Sequence, residues 1–348
     1  MDLWRSSFWA LAVLLACSCG QRQEPQETAR KQDAAPLPDS TAALLGPDSL
    51  PDGPAKALVL ERNVKIRDYF AFIDSVVVCE DTLLPYPLTE HLLVRANPWI
   101  IDSLANTDYY RMMERDSFVY EQEELIVLRR GDTLLLPGPE EARELLRRMN
   151  NTVIDLNIPE FRLRVIEEGD TLFTFPVRVG RNQRKYLALA KATVDLRTMP
   201  GDGHIIRIAR YPLFLDPGTG RRFTHTRRDD GRTTVMPLIP WIEPEIDGHR
   251  YGQLIHPTTN PKTLNKAYSN GCIGVKEADA WYIYYFAPVG TRAHLHYDLR
   301  VVGPDGNTTE LKDIYGWKGR RFPDQSDAAA LEEASRKTPS GCVCGDVE

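Results

Sequence analysis

The stretch Ile255-His256-Pro257-Thr258-Thr259-Asn260-Pro261, followed by Tyr268-Ser269-Asn270-Gly271-Cys272-Ile273-Gly274-Val275, is the most informative part of this sequence. Cys272 lies in a Ser-Asn-Gly-Cys turn ahead of a helix expected over residues 276–286. A helix N-terminus carries partial positive charge and would hold a nearby thiol as thiolate. A nucleophilic cysteine also needs a base within hydrogen-bond reach. His256 stands sixteen residues upstream, far enough to return on a neighbouring strand. Gly271 lets a substrate carbonyl approach the backbone, and the amides around Cys272 would form an oxyanion hole.

Outward from this stretch the chain reads as strands. Residues 153–158 and 161–166 alternate apolar and polar side chains, Glu168-Gly169-Asp170 signals a turn, and alternation resumes over 172–179. Further strands are expected at 203–208, 254–256 and 292–299. Many short strands separated by turns predict a mainly β fold, a sandwich or barrel. Pro139–Met149 reads as a helix, with Pro139 in the first turn, Glu140 and Glu141 at its positive end, and Arg147 and Arg148 in its last turn. Residues 58–149 are expected to form a small α+β module, with helices over 98–104 and 108–115 and strands at 76–78 and 125–128.

The string His-Pro-Thr-Thr-Asn-Pro…Ser-Asn-Gly-Cys-Ile closely resembles the active-site signature of the L,D-transpeptidase (YkuD-type) family: a histidine, fourteen to seventeen residues, then Ser-x-Gly-Cys and an apolar residue. The resemblance extends to Val289-Gly290-Thr291-Arg292 and back to Asp155-Leu156 and Pro176-Val177-Arg178-Val179-Gly180, so it covers residues 150–300. It implies an L,D-transpeptidase-like β-sandwich or barrel with a helix after the cysteine. It makes Cys272 the nucleophile, His256 the base, the backbone carbonyl of Pro257 the group that orients the imidazole, and Gly271 part of the oxyanion region. Ser269 and Asn270 would line the substrate site. Two positions depart from the pattern: Gly274 stands where the family commonly has Arg or Asn, and Thr198-Met199-Pro200-Gly201 only approximates its Thr-Pro-x-Gly turn.

The implied reaction is acyl transfer on peptidoglycan stem peptides through a cysteine acyl-enzyme, giving crosslinks or exchange. An L,D-carboxypeptidase, a hydrolase that releases lipoproteins from the wall, and a non-catalytic wall-binding lipoprotein remain as alternatives. The basic segment 211–234 reads as a surface loop or as a lid whose Arg221 and Arg222 would meet stem-peptide carboxylates.

The first residues read as an address. Arg5 precedes the apolar run Phe8–Ala16, which ends at Leu14-Leu15-Ala16-Cys17, with Ala16-Cys17-Ser18-Cys19 as a second candidate. Small residues before a cysteine resemble a bacterial lipobox, so residues 1–19 are expected to be a lipoprotein signal peptide and Cys17 (alternatively Cys19) the lipidated residue. Residues 20–57, with Pro at 25, 36, 38, 47, 51 and 54, read as a disordered tether. Residues 301–323 read as a C-terminal extension and 324–348, with Cys342 and Cys344, as a disordered tail. The expected location is the periplasmic face of a Gram-negative envelope membrane, reached through a lipid anchor.

Composition excludes other classes. Lys+Arg number 43 against 49 Asp+Glu in 348 residues, a formal charge of −6 that argues against a nucleic-acid partner. No phosphate-loop, dinucleotide or His-Glu-x-x-His motif is present, so no cofactor and no metal is expected. His294 and His296 share one strand face; with a third ligand they could bind a metal, but they are read as polar-face residues.

Overall fold

The computed structural model describes residues 56–303 and 305–319. The expected signal peptide, the lipidation cysteines, nearly all of the tether, and the tail with Cys342 and Cys344 lie outside these residues. Among the described residues no helix is long and apolar enough to cross a membrane.

The fold is mainly β. Eight strands form one sheet: β1 (Thr152–Asn157), β2 (Arg162–Glu167), β3 (Asp170–Pro176), β4 (Gly201–Ala209), β5 (Trp241–Ile246), β6 (Ile255–Pro257), β7 (Ile273–Val275) and β8 (Arg292–His296). Their order is β7-β6-β5-β4-β8-β1-β2-β3. Two pairs are parallel, β6 with β7 and β8 with β1. The sheet nearly closes on itself. Past the end of β3, Arg178 forms an antiparallel bridge to Gly274 of the opposite edge strand β7, with reciprocal bonds of 2.9 and 3.0 Å.

Among the described residues six α-helices accompany the sheet: α1 (Ile66–Asp81), α2 (Glu90–Arg95), α3 (Trp99–Ala105), α4 (Tyr109–Met113), α5 (Pro139–Asn150) and α6 (Glu277–Phe286). α6 buries Ala278, Ala280, Trp281, Ile283, Tyr284 and Tyr285 around its whole circumference, the pattern of a helix covered on every side. Its outer side is covered by α2 and α3. Tyr69 of α1 meets Tyr285 through their hydroxyls at 2.6 Å, and Glu90 accepts from Tyr284 and Tyr285 at 2.9 Å each. One apolar core runs from Leu60 and Tyr69 through Leu156 and Ile255 to Trp281 and Trp317.

Two expectations are corrected, and one strand is added. Residues 76–78 are helical, inside α1, whose buried Ile66, Tyr69, Phe70 and Ile73 repeat at the helical period. The stretch expected to be tether ends early, because Lys56–Val59 is already a strand, paired with Thr133–Leu136. The central strand β5 was not anticipated from the sequence, since it contains Pro244. That proline pairs with Ile205 where the β4 register shifts, a bulge that spares it a ladder bond.

In the C-terminal extension, Arg300–Val302 pairs with Thr308–Glu310. Tyr315 and Trp317 beyond it are buried, and the Tyr315 hydroxyl donates to the Gly180 carbonyl at 2.5 Å.

Candidate active site

The sequence brings its two chemically loaded residues onto adjacent parallel strands. His256 on β6 registers with Gly274 on β7, and Ile255 with Ile273. Cys272 precedes β7 by one residue and lies two along from Gly274, so strand alternation turns it to the face that His256 occupies. Trp241 of β5 joins them: its ring stacks on His256 at 4.5 Å and packs in one apolar cluster with Cys272, Phe214 and Leu254. The Leu254 amide donates to Cys272 Sγ at 3.3 Å.

The imidazole is held in one tautomer. His256 Nδ1 donates to the Pro257 carbonyl at 2.9 Å, so Nε2 carries the lone pair. Nε2 is buried and has no hydrogen-bond partner among the described residues. Burial first, then the charge of Arg178, pull the ring's pKa down to about 3, against the opposing bond to Pro257. His256 is therefore a neutral imidazole with its basic nitrogen unengaged.

Cys272 is buried and disulfide-bonded. Cys79 is a free, exposed thiol. The expected role of a helix N-terminus is corrected. β7 separates Cys272 from α6, which begins at Glu277, and the Ala278 amide at that terminus is taken by Asp108 Oδ2 at 2.9 Å. The helix acts five residues too late to bias the sulfur.

The turn before the cysteine is built from its own side chains. Gly271 has φ +115°, a conformation that favours glycine. Ser269 Oγ donates to the Cys272 carbonyl at 2.6 Å and accepts from the Gly271 amide at 3.2 Å. Thr198 Oγ1 donates to the Gly271 carbonyl at 2.9 Å and accepts from the Gly180 amide at 2.8 Å. The Ser269 hydroxyl thus holds the turn, and Asn270 beside it is half-buried. Arg221 and Arg222 are exposed on a hairpin in which Leu215 bridges Arg222. The inward side of that hairpin presents Phe214 to Trp241, 5.6 Å between ring centres. Farther along the same segment, Arg228 is buried and ion-paired with Glu277, so this part of the loop is fixed to the core.

Arg178 is the site residue that sequence reasoning missed. It is fully buried, and Nη1 donates to Thr263 Oγ1 at 3.0 Å. Its side chain lies directly over Gly274. A Cβ built at 274 would come within 2.4 Å of Arg178 Nε and 2.8 Å of its Cγ, closer than any real contact. The position where the family commonly has Arg or Asn is glycine here, and an arginine from the segment just after β3 fills the space. Burial lowers this guanidinium's pKa to about 9, which leaves it charged at neutral pH.

Residues 151–298 match the YkuD family model, described as the L,D-transpeptidase catalytic domain. Among solved structures, similarity is found to an L,D-transpeptidase from Mycobacterium smegmatis (15% identity, TM-score 0.30, covering 42% of this chain and 58% of that one). It is also found to L,D-transpeptidase 1 of Mycobacterium tuberculosis (16%, TM-score 0.27, 42% and 61%). Residues 123–326 of the L,D-transpeptidase from Xylanimonas cellulosilytica match over 71% of this chain and 100% of that one, at 14% identity and TM-score 0.31. The match thus spans less than two thirds of the length of the mycobacterial structures. The comparison with curated proteins returned no match.

Proposed function

We propose that the YkuD-type domain is an L,D-transpeptidase that acts on peptidoglycan stem peptides through Cys272. The observation that carries this reading is His256, with Nδ1 fixed on the Pro257 carbonyl and Nε2 unengaged on the strand beside Cys272. Two equivalents of a small thiol first reduce the disulfide at Cys272, supplying two electrons and two protons and leaving as their own disulfide, so that Cys272 becomes a thiol. His256 Nε2 then takes the thiol proton, and Sγ attacks the carbonyl of the L-to-D bond. The scissile C–N bond breaks, the leaving D-residue amine takes the proton from Nε2, and a thioester remains. A second stem amine attacks the thioester and regenerates the thiol. Water in place of that amine gives a carboxypeptidase. Backbone amides around Cys272 would receive the oxyanion, and Arg221, Arg222 and Asn270 would contact the stem peptide.

The test is incubation of the full chain with disaccharide-tetrapeptide, with and without a thiol reductant, and product analysis by mass spectrometry. Dimers lacking one terminal D-alanine, formed only with reductant and absent in Cys272→Ala, are the expected result. Tripeptide alone would reassign the enzyme as an L,D-carboxypeptidase. Untouched tetrapeptide under reducing conditions would favour a wall-binding lipoprotein. The proposed export and lipid anchor rest on the sequence at Cys17 and Cys19. Labelled palmitate should be incorporated in cells and lost in Cys17→Ala, or in Cys19→Ala if the second candidate is the true one.

A further inference from the structure

A second cluster lies on the sheet, built by strand register alone. Asp202 of β4 pairs with His294 of β8, and His294 pairs with Asp155 of β1. Asp202, His294 and Asp155 therefore form one row across three strands. His296, two residues on, returns to the same face, and the two imidazoles stack at 4.9 Å and 15°. His294 Nδ1 engages Asp202 Oδ1 at 2.6 Å, and His296 Nδ1 engages Asp298 Oδ2 at 2.7 Å. His296 Nε2 lies 3.2 Å from Asp155 Oδ2. One ligand atom from each of Asp155, His294 and His296 falls within 4.8 Å of the others.

This is the pattern of a carboxylate–histidine–metal relay on both rings. An outer carboxylate takes Nδ1–H, fixes the tautomer and leaves Nε2 as the ligand atom. His296 Nε2 and an Asp155 oxygen face each other at 3.2 Å, a gap bridged by a proton on Nε2 or by a metal cation that displaces that proton. Their separation is close to the roughly 3.3 Å edge of a tetrahedron around an ion with 2.0 Å bonds. The local charges also favour a cation. Three carboxylates, Asp155, Asp202 and Asp298, face two imidazoles, and the nearby cation is Arg164, at 3.6 Å from Asp155 and also paired with Glu160. His294 and Asp202 are solvent-accessible, so an ion can reach the cluster from water.

We propose that Asp155, His294 and His296 bind a divalent first-row transition cation, with Asp202 and Asp298 orienting the rings and a fourth position open to solvent. Two imidazoles with one carboxylate suit Zn2+ and its neighbours rather than Ca2+ or Mg2+. The site joins β8 to β1 and is independent of the acyl-transfer reading.

The test is calorimetric titration of the full chain, freed of metal by a chelator, with ZnCl2. One equivalent should bind in wild type and in Cys272→Ala and Cys79→Ser, and be lost in His296→Ala and Asp155→Asn. Asp202→Asn keeps all three ligands and should weaken binding about 10- to 100-fold. Zn2+ should shift the ring-proton resonances of His294 and His296 together. Circular dichroism of each variant establishes that it is folded. Absence of uptake by folded wild type, or uptake that survives both His296→Ala and Asp155→Asn, overturns the proposal.

Discussion

His256 and Arg178 share one electrostatic problem. The arginine's charge and the ring's burial both favour neutral imidazole. Replacing Arg178 by Gln removes the charge and keeps the burial. The pKa of His256 should then rise from about 3 toward, but not to, the ordinary 6.5. The acid limb of the kcat/KM profile should move to higher pH in Arg178→Gln and stay in place in Arg178→Lys. An unmoved limb in Arg178→Gln would refute the coupling. Cys272, His256 and Pro257 were legible in the sequence because their motif is local and their spacing short. Arg178 was not: it reaches the site only when the two edges of the sheet meet, a contact between residues 96 positions apart. Ser269 was legible as a member of the motif, but that its hydroxyl is engaged within the turn is a fact of geometry.

At the level of elements, two helices cap one another. Asp108 Oδ1 accepts from the amides of Tyr110 and Arg111 at the start of α4, while its Oδ2 accepts from Ala278 at the start of α6. Glu277 of α6 returns a bond from the Tyr109 amide at 3.0 Å. Asp108→Ala removes the side-chain cap from both helices. At about 1 kcal/mol per cap, unfolding in urea should show a loss of about 2 kcal/mol; a loss under 0.5 kcal/mol would mean that the caps act separately from stability. The strands over 152–167 and the helix over 139–150 were readable because alternation and end signals agree there. The Val76-Val77-Val78 run misled because β-branched residues mimic a strand, although Ile66, Tyr69, Phe70 and Ile73 already carried the helical repeat. β5 escaped notice because proline in a strand normally marks an edge, and only the bulge opposite makes it admissible at the centre.

For the molecule as a whole, the helices over residues 66–113 and the sheet share one core through α6. A chain reduced to residues 150–319 would expose Trp281, Tyr284 and Tyr285. It should aggregate or bind a hydrophobic dye, whereas a cooperative unfolding transition in that fragment would contradict the shared core. Buried histidines set part of the acid response. His91, against the Tyr284 and Tyr285 rings, has its pKa lowered to about 4, chiefly by burial. Its unfolded value is near 6.5, so below pH 6.5 the unfolded chain binds the extra proton and stability falls as pH drops. The slope reaches about 1.4 kcal/mol per pH unit until the native value is approached. Asp279, raised to about 6 by burial, acts in the opposite sense, as do the raised Glu90 and Glu277. The histidine contribution is therefore read as a difference: between pH 6.5 and 4.5 His91→Gln should lose less stability than wild type, and parallel curves would sink the assignment.

The bridge that closes the sheet also constrains inheritance. While Arg178 overlies Gly274, no single substitution can place a side chain at 274 without displacing the arginine. A chain with a small residue at 178 is free to carry a long one at 274. The two positions form one slot that holds one large polar side chain, supplied from either edge. Among relatives the sizes at 178 and 274 should trade against each other, so the exchange Arg178→Ser with Gly274→Arg should be tolerated where Gly274→Arg alone is not.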